Sequence, residues 1–184
     1  MRVKNERKPE PSAAIIDSQS VKTSEGGEER GVDVHKQTPG RKRHIIVDTL
    51  GLLLIVMVHS ASIQDGNGGF STLHKLFDKI KHSVHNRWCR LKLIWADAAY
   101  AYIVEKVRQH FGWKLDIVRR SDKAKGFELL HHRWIVERTF GWLGRFVAYR
   151  ATLNIPSLPA SLLFTSPAFA VCSNWLQFDL RNTL

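Results

Sequence analysis

The stretch GRKRHIIVDTLGLLLIVMVHSASIQDG, residues 40–66, decides how this chain is built. Its two aliphatic runs, 45–47 and 52–58, flank Thr49, Leu50 and Gly51, a pattern that predicts a β-hairpin. Upstream, residues 13–21 pass from apolar to polar and read as a buried strand ending near 17–20. The Gly, Glu and Arg cluster at 24–31 reads as a loop, and residues 1–12, with Pro9 and Pro11, read as a linker or arm.

Downstream, Phe70, Leu73, Leu76, Phe77, Ile80 and Val84 recur at steps of three and four, predicting an amphipathic helix. LKLIWAD (91–97) and KLDIVRR (114–120) read as short strands, with a helical pattern at 103–111 between them. Val136, Phe140, Leu143 and Val147 predict a last helix within 129–147. The order β-β-β-α-β-α-β, closed by a helix, makes the chain an α/β protein. A length of 184 residues fits one principal domain. We place it at 13–148, followed by a divergent Pro-, Ser- and Leu-rich tail at 149–184.

Lys and Arg number 28 against 17 Asp and Glu, a formal charge of +11 with a pI near 10.0. That excess favours a polyanionic partner, nucleic acid ahead of an anionic membrane. No apolar run reaches the roughly 18 to 20 residues of a bilayer span. The N-terminus MRVKNERKPEPS lacks the apolar segment of a secretory signal, so a cytoplasmic, nucleoid-associated location is expected. Cys89 and Cys172 belong to no CxxC pattern and read as free thiols.

Three carboxylates stand beside apolar sequence: Asp17 at the end of the first strand, Asp97 at the end of LKLIWAD, and Glu137 inside the last helix. Desolvating an acid there is costly unless it pairs or binds metal. A structural reading stays open. An Asp after a strand also caps turns and helices, and Glu137 is spaced to pair with Arg133 four residues earlier.

Long blocks add a resemblance. AAIIDSQSVKT (13–23), GRKRHIIVDTLGLLL (40–54), ASIQDG (61–66), LKLIWADAAY (91–100), GWKLDIVRRSDKAKGF (112–127) and HRWIVERTFGWLGR (132–145) are similar, in the same order, to insertion-sequence-five family transposases of the DDE type. The resemblance implies a ribonuclease-H-like mixed sheet flanked by helices. It implies Asp17, Asp97 and Glu137 as catalytic acids holding two Mg²⁺ or Mn²⁺ ions, DNA as the partner, and a homo-oligomer when active. The implied reaction is metal-dependent strand cleavage followed by strand transfer, the alternative being an impaired fragment that only binds DNA or inhibits the full-length enzyme. Three departures are visible. The chain starts just before the first catalytic strand, where the family carries an N-terminal helical region. ADAAYAY replaces the family's ADGGY or ADAGY. Leu130 and Gly144 stand at the Tyr and Lys positions of its Tyr, Arg, Glu, Lys signature.

For DNA contacts the basic candidates are Lys22, Arg41, Lys42, Arg43, Arg133, Arg138 and Arg145, with a second cluster at Arg119, Arg120, Lys123 and Lys125. Each cluster could equally be a solvated charge run. Trp134, Arg138, Trp142 and Arg145 recur at helical spacing, which suits either a DNA-gripping stripe or cation–π packing. His82, His85, His131 and His132 lack metal-ligand spacing.

Overall fold

In the computed structural model, residues 2–23, 30–82, 90–119 and 132–152 are described, with side chains up to 144 in the last segment. The chain divides into two units, Met1–Trp142 and Leu143–Leu184. The strands are β1 (Ala13–Lys22), β2 (Gly31–Asp33), β3 (Thr38–Asp48), β4 (Leu53–Ser60), β5 (Leu93–Ala96) and β6 (Lys114–Ile117). The helices are α1 (Asp65–Lys81), α2 (Val104–Phe111) and α3 (Arg133–Thr152), with 3-10 turns at Val3–Asn5 and Ala98–Ile103.

All six strands form one mixed sheet, in the order β2-β3-β1-β5-β6 with β4 also on β3. β1, β2 and β4 each run antiparallel to β3, whereas β1, β5 and β6 are mutually parallel. This mixed sheet with its flanking helices is the expected α/β, ribonuclease-H-like architecture. Among the described residues no helix is long and apolar enough to cross a membrane.

The hairpin forms where the aliphatic runs predict it, and Asp48 shapes its turn. Asp48 Oδ1 accepts from the backbone N–H of Leu50 and Leu52, while Gly51 takes φ +84°, a conformation that costs glycine little. The other carboxylate oxygen pairs with Arg2 at 2.5 Å, tying the N-terminal arm to the buried hairpin base.

Strand alternation sorts the side chains into two layers. Ala14, Ile16, Ile46, Ile94 and Ala96 join Leu73 and Leu76 of α1 and Val107 and Phe111 of α2 in the main core. The intervening residues Ile15, Asp17, Trp95 and Asp97 therefore point to the other face. There Trp95 stacks on His132, which directly precedes α3, with ring centroids 4.1 Å apart.

Helix α1 begins at Asp65, five residues before the apolar stripe. Its first turn carries Gly66, Gly68 and Gly69, which read as loop residues in isolation. Added Cβ atoms at these glycines would strike Tyr102, His44 with His59, and Tyr100 respectively. Close packing therefore recruits helix-poor residues into the helix. Strand β2 starts at Gly31, the last residue of the cluster read as a loop, and is held on β3 by the register Val32↔Pro39. Val84, the Val147 side chain and residues 153–184 lie outside the described residues and side chains, while α3 runs on to Thr152, past the expected start of the tail at 149.

Candidate active site

Register brings the first two acids together. β1 and β5 are parallel neighbours with Ala13 opposite Leu93 and Ile15 opposite Trp95. Two residues further along each strand, Asp97 stands just past the end of β5 and Asp17 beside it on the same face; Asp17 is not the strand end expected, because pairing with β3 carries β1 on to Lys22. Each acid has one oxygen anchored by backbone. Asp17 Oδ1 accepts from Ser18 N–H at 2.7 Å, and Asp97 Oδ1 caps the following 3-10 turn through Ala99 N–H at 3.0 Å. The cap uses only Oδ1 of Asp97 and leaves its Oδ2 for other partners.

The remaining oxygens turn toward a single cation. Nη2 of Arg133, the first residue of α3, lies 3.5 Å from Asp17 Oδ2, 3.9 Å from Asp97 Oδ2 and 4.0 Å from Glu137 Oε1. Only the first reaches hydrogen-bond range, and the others are loose ion pairs. The pairing of Arg133 with Glu137 along the helix is therefore present but shared among three acids. Burial decreases outward, the side chains of Asp17, Asp97 and Glu137 being 10%, 26% and 61% exposed.

Burial pushes the Asp17 carboxyl up to about 6, against the pull of Arg133 and the Ser18 N–H and with a further push from Asp97. Desolvation therefore outweighs a cation that stands only at the edge of contact. Lys36, in the turn after β2, is also close enough to act on Asp17.

Three hard carboxylate donors from separate elements, focused on one positive nitrogen, fit a divalent cation such as Mg²⁺ or Mn²⁺ chemically. As they lie, no three His, Cys, Asp or Glu side chains among the described residues are close enough to hold one ion. The focus is taken by the guanidinium. A cleft of about 310 Å³ beside Arg2, Pro9, Asp48 and Leu53 shares no residue with the acids.

The basic candidates separate by strand parity. Lys42 turns to the α1 side and is buried, its Nζ donating to Ile63 O at 2.9 Å and pairing with Asp65 at 2.7 Å and Asp33 at 3.1 Å. That corrects its expectation as a DNA contact, since a buried ammonium clasped by two carboxylates cannot reach a phosphate. Burial would raise the Asp33 carboxyl, but the Ser20 hydroxyl, Lys42 and the Lys36 N–H together hold it down at about 2. Arg43 turns the other way, bonding Gln19 and lying 5.5 Å above the Phe140 ring. Arg138 is sandwiched between Trp134 and Trp142, 4.8 and 4.7 Å from their centroids, and donates to Leu50 O. Cation–π packing thus engages Trp134, Arg138 and Trp142 of that stripe, with Trp134 still 42% exposed. Lys22 and Arg119 are exposed and Arg41 is half-buried. The Arg145 side chain, Arg120, Lys123 and Lys125 lie outside the described residues and side chains.

Behind the acids is a polar layer that sequence reasoning missed. His44 shares a hydrogen bond with Tyr100 Oη at 3.1 Å and stacks on His59 at 4.9 Å. Burial, reinforced by His59, drives the His44 imidazole down to about 3 and keeps it neutral. Alternation was the available signal, since His44 has the same parity as the core residue Ile46.

Comparison with known families matches residues 8–154 to the family described as Transposase DDE domain. No curated protein and no solved structure matches the chain.

Proposed function

Because the chain belongs to the transposase DDE domain family, whose members act on DNA, we propose that it is the catalytic portion of an insertion-sequence-five type transposase that cleaves element ends and joins them to target DNA. The carrying observation is the focus of Asp17, Asp97 and Glu137 on Arg133 Nη2. Those three acids would hold Mg²⁺ or Mn²⁺. When bound, a metal pair activates the attacking oxygen and stabilises the leaving one during in-line phosphoryl displacement.

The chain's own contribution is positioning. Backbone N–H groups fix one oxygen each of Asp17 and Asp97, so both acids meet substrate with little freedom left to lose. Glu137, on a helix and largely exposed, completes the set from the solvent side. Exposed Lys22 and half-buried Arg41 are candidates for the DNA backbone near the bacterial nucleoid. A homo-oligomer would align two element ends.

The test is nicking and joining of labelled duplex DNA by the purified chain with Mg²⁺ or Mn²⁺, beside Glu137→Gln. Metal-dependent activity lost in the variant supports the proposal. Equal cleavage by both proteins removes Glu137 from the mechanism, and DNA binding without any cleavage identifies an impaired fragment instead.

A further inference from the structure

We propose that Arg133 is an internal counter-ion that occupies the focus of the acid triad and must be displaced for divalent metal to bind. The inference rests on the reading of Asp17, Asp97 and Glu137 as the metal-holding acids.

Its basis is a conflict of space. Arg133 Nη2 is 3.5 to 4.0 Å from one oxygen of each acid, whereas Mg²⁺ takes oxygen ligands at about 2.0 to 2.1 Å. The acids must close in around an ion at the point where the guanidinium nitrogen lies. Two cations cannot share that focus, so the guanidinium leaves as the ion enters.

The surroundings suit such an exchange. Asp17 and Asp97 are held by backbone N–H groups through their other oxygens, so they stay when Arg133 moves. Glu137 is the exposed acid and is free to swing inward. Arg133 itself opens α3 and is 24% exposed, which gives the side chain a route to solvent. The distances are long for charge-assisted bonds, which run about 2.7 to 2.9 Å, so the grip to be broken is loose. Once displaced, the guanidinium is a free fork of donors at the rim of the acid cluster, placed to take a DNA phosphate oxygen. Metal loading and backbone capture become linked through one side chain.

The experiment is calorimetric titration of the full chain with Mn²⁺, comparing the unsubstituted protein with Arg133→Gln, Arg133→Lys and Asp97→Asn, each checked for folding by circular dichroism. Asp97→Asn should bind Mn²⁺ about tenfold more weakly or worse, and Arg133→Gln about tenfold more tightly, because an opposing charge has left the focus. Arg133→Lys, which keeps the charge, should lie between Arg133→Gln and the unsubstituted chain. If Asp97→Asn leaves affinity unchanged, the metal-site reading falls and takes this proposal with it. If Asp97→Asn weakens binding but Arg133→Gln fails to tighten it, only the role of Arg133 is overturned. Should Arg133→Gln not fold, the Arg133 side-chain Nε–H resonance of the unsubstituted chain decides. A saturable shift with Mg²⁺, absent with K⁺ at equal ionic strength, supports displacement, and a resonance unmoved at saturation overturns it.

Discussion

Asp17 Oδ2 and Arg133 Nη2 stand 3.5 Å apart although 116 residues separate them in the chain. The contact joins the central strand to the last helix, and Asp97 and Glu137 approach the same nitrogen from a neighbouring strand and from one turn further along the helix. The depth at which each acid is placed sets the outcome of replacing it.

Glu137→Gln and Asp97→Asn should separate chemistry from folding. Glu137 is 61% exposed, and asparagine can still accept from the Ala99 N–H that Asp97 now binds. Thermal stability should change by no more than about 0.5 kcal/mol. DNA cleavage should fall by on the order of 10²-fold or more, as expected when a group stabilising the transition state is removed. A cleavage assay paired with melting curves checks both halves.

Asp17→Asn should have the opposite stability signature, and it should depend on pH. The Asp17 carboxyl sits at about 6 in the folded chain against an ordinary value of 3.8, so between these values the native state binds more protons than the unfolded one. Stability from this group is present below about pH 4 and is lost as pH rises through about 6. The melting temperature of Asp17→Asn relative to the unsubstituted chain should therefore climb between pH 4 and 7. The gain should be on the order of 1 to 3 kcal/mol. A difference that stays flat across that range contradicts the buried, poorly compensated carboxylate.

Two lysines of one charge excess should behave differently. Lys42 is clasped by Asp33, Asp65 and Ile63 O, and Lys42→Met should destabilise the fold by about 3 kcal/mol because two acids lose their buried partner. Lys22 is exposed. Lys22→Ala should leave stability within about 0.5 kcal/mol while lowering the salt slope of DNA binding by about one. Denaturant melts and binding at several salt concentrations give the two readings.

Glycines in helices divide in the same way. A methyl group at Gly68 would press on the Nε2 atoms of both buried histidines, His44 and His59. Gly68→Ala should therefore cost about 1 to 3 kcal/mol as an overpacked core position. Gly141 in α3 has nothing within 4 Å of an added Cβ, and Gly141→Ala should stabilise by about 0.5 to 1 kcal/mol through helix propensity. Chemical denaturation of the two variants would show opposite signs.

Periodicity along the chain was enough to determine the α/β class, the hairpin around Gly51, the helical stripe through Leu73 and Leu76, and the strand end at which Asp97 stands, but not the reach of β1, which pairs with β3 for five residues beyond Asp17. These features come from local spacing, since a strand alternates every two residues and a helix repeats every 3.6. The basic block at 41–43 was legible as charge but not as position. Only pairing in the sheet sends Lys42 into the α1 side and Arg43 toward Gln19, because adjacent strand residues face opposite ways. The glycine-rich start of α1 was likewise hidden, its helix being selected by close approach to His44, His59 and Tyr100 rather than by propensity. Tertiary structure alone decided that three acids share one arginine. Parallel register of β1 with β5 and the docking of α3 set those distances, and neither is written in the spacing of residues 17, 97 and 137 along a chain.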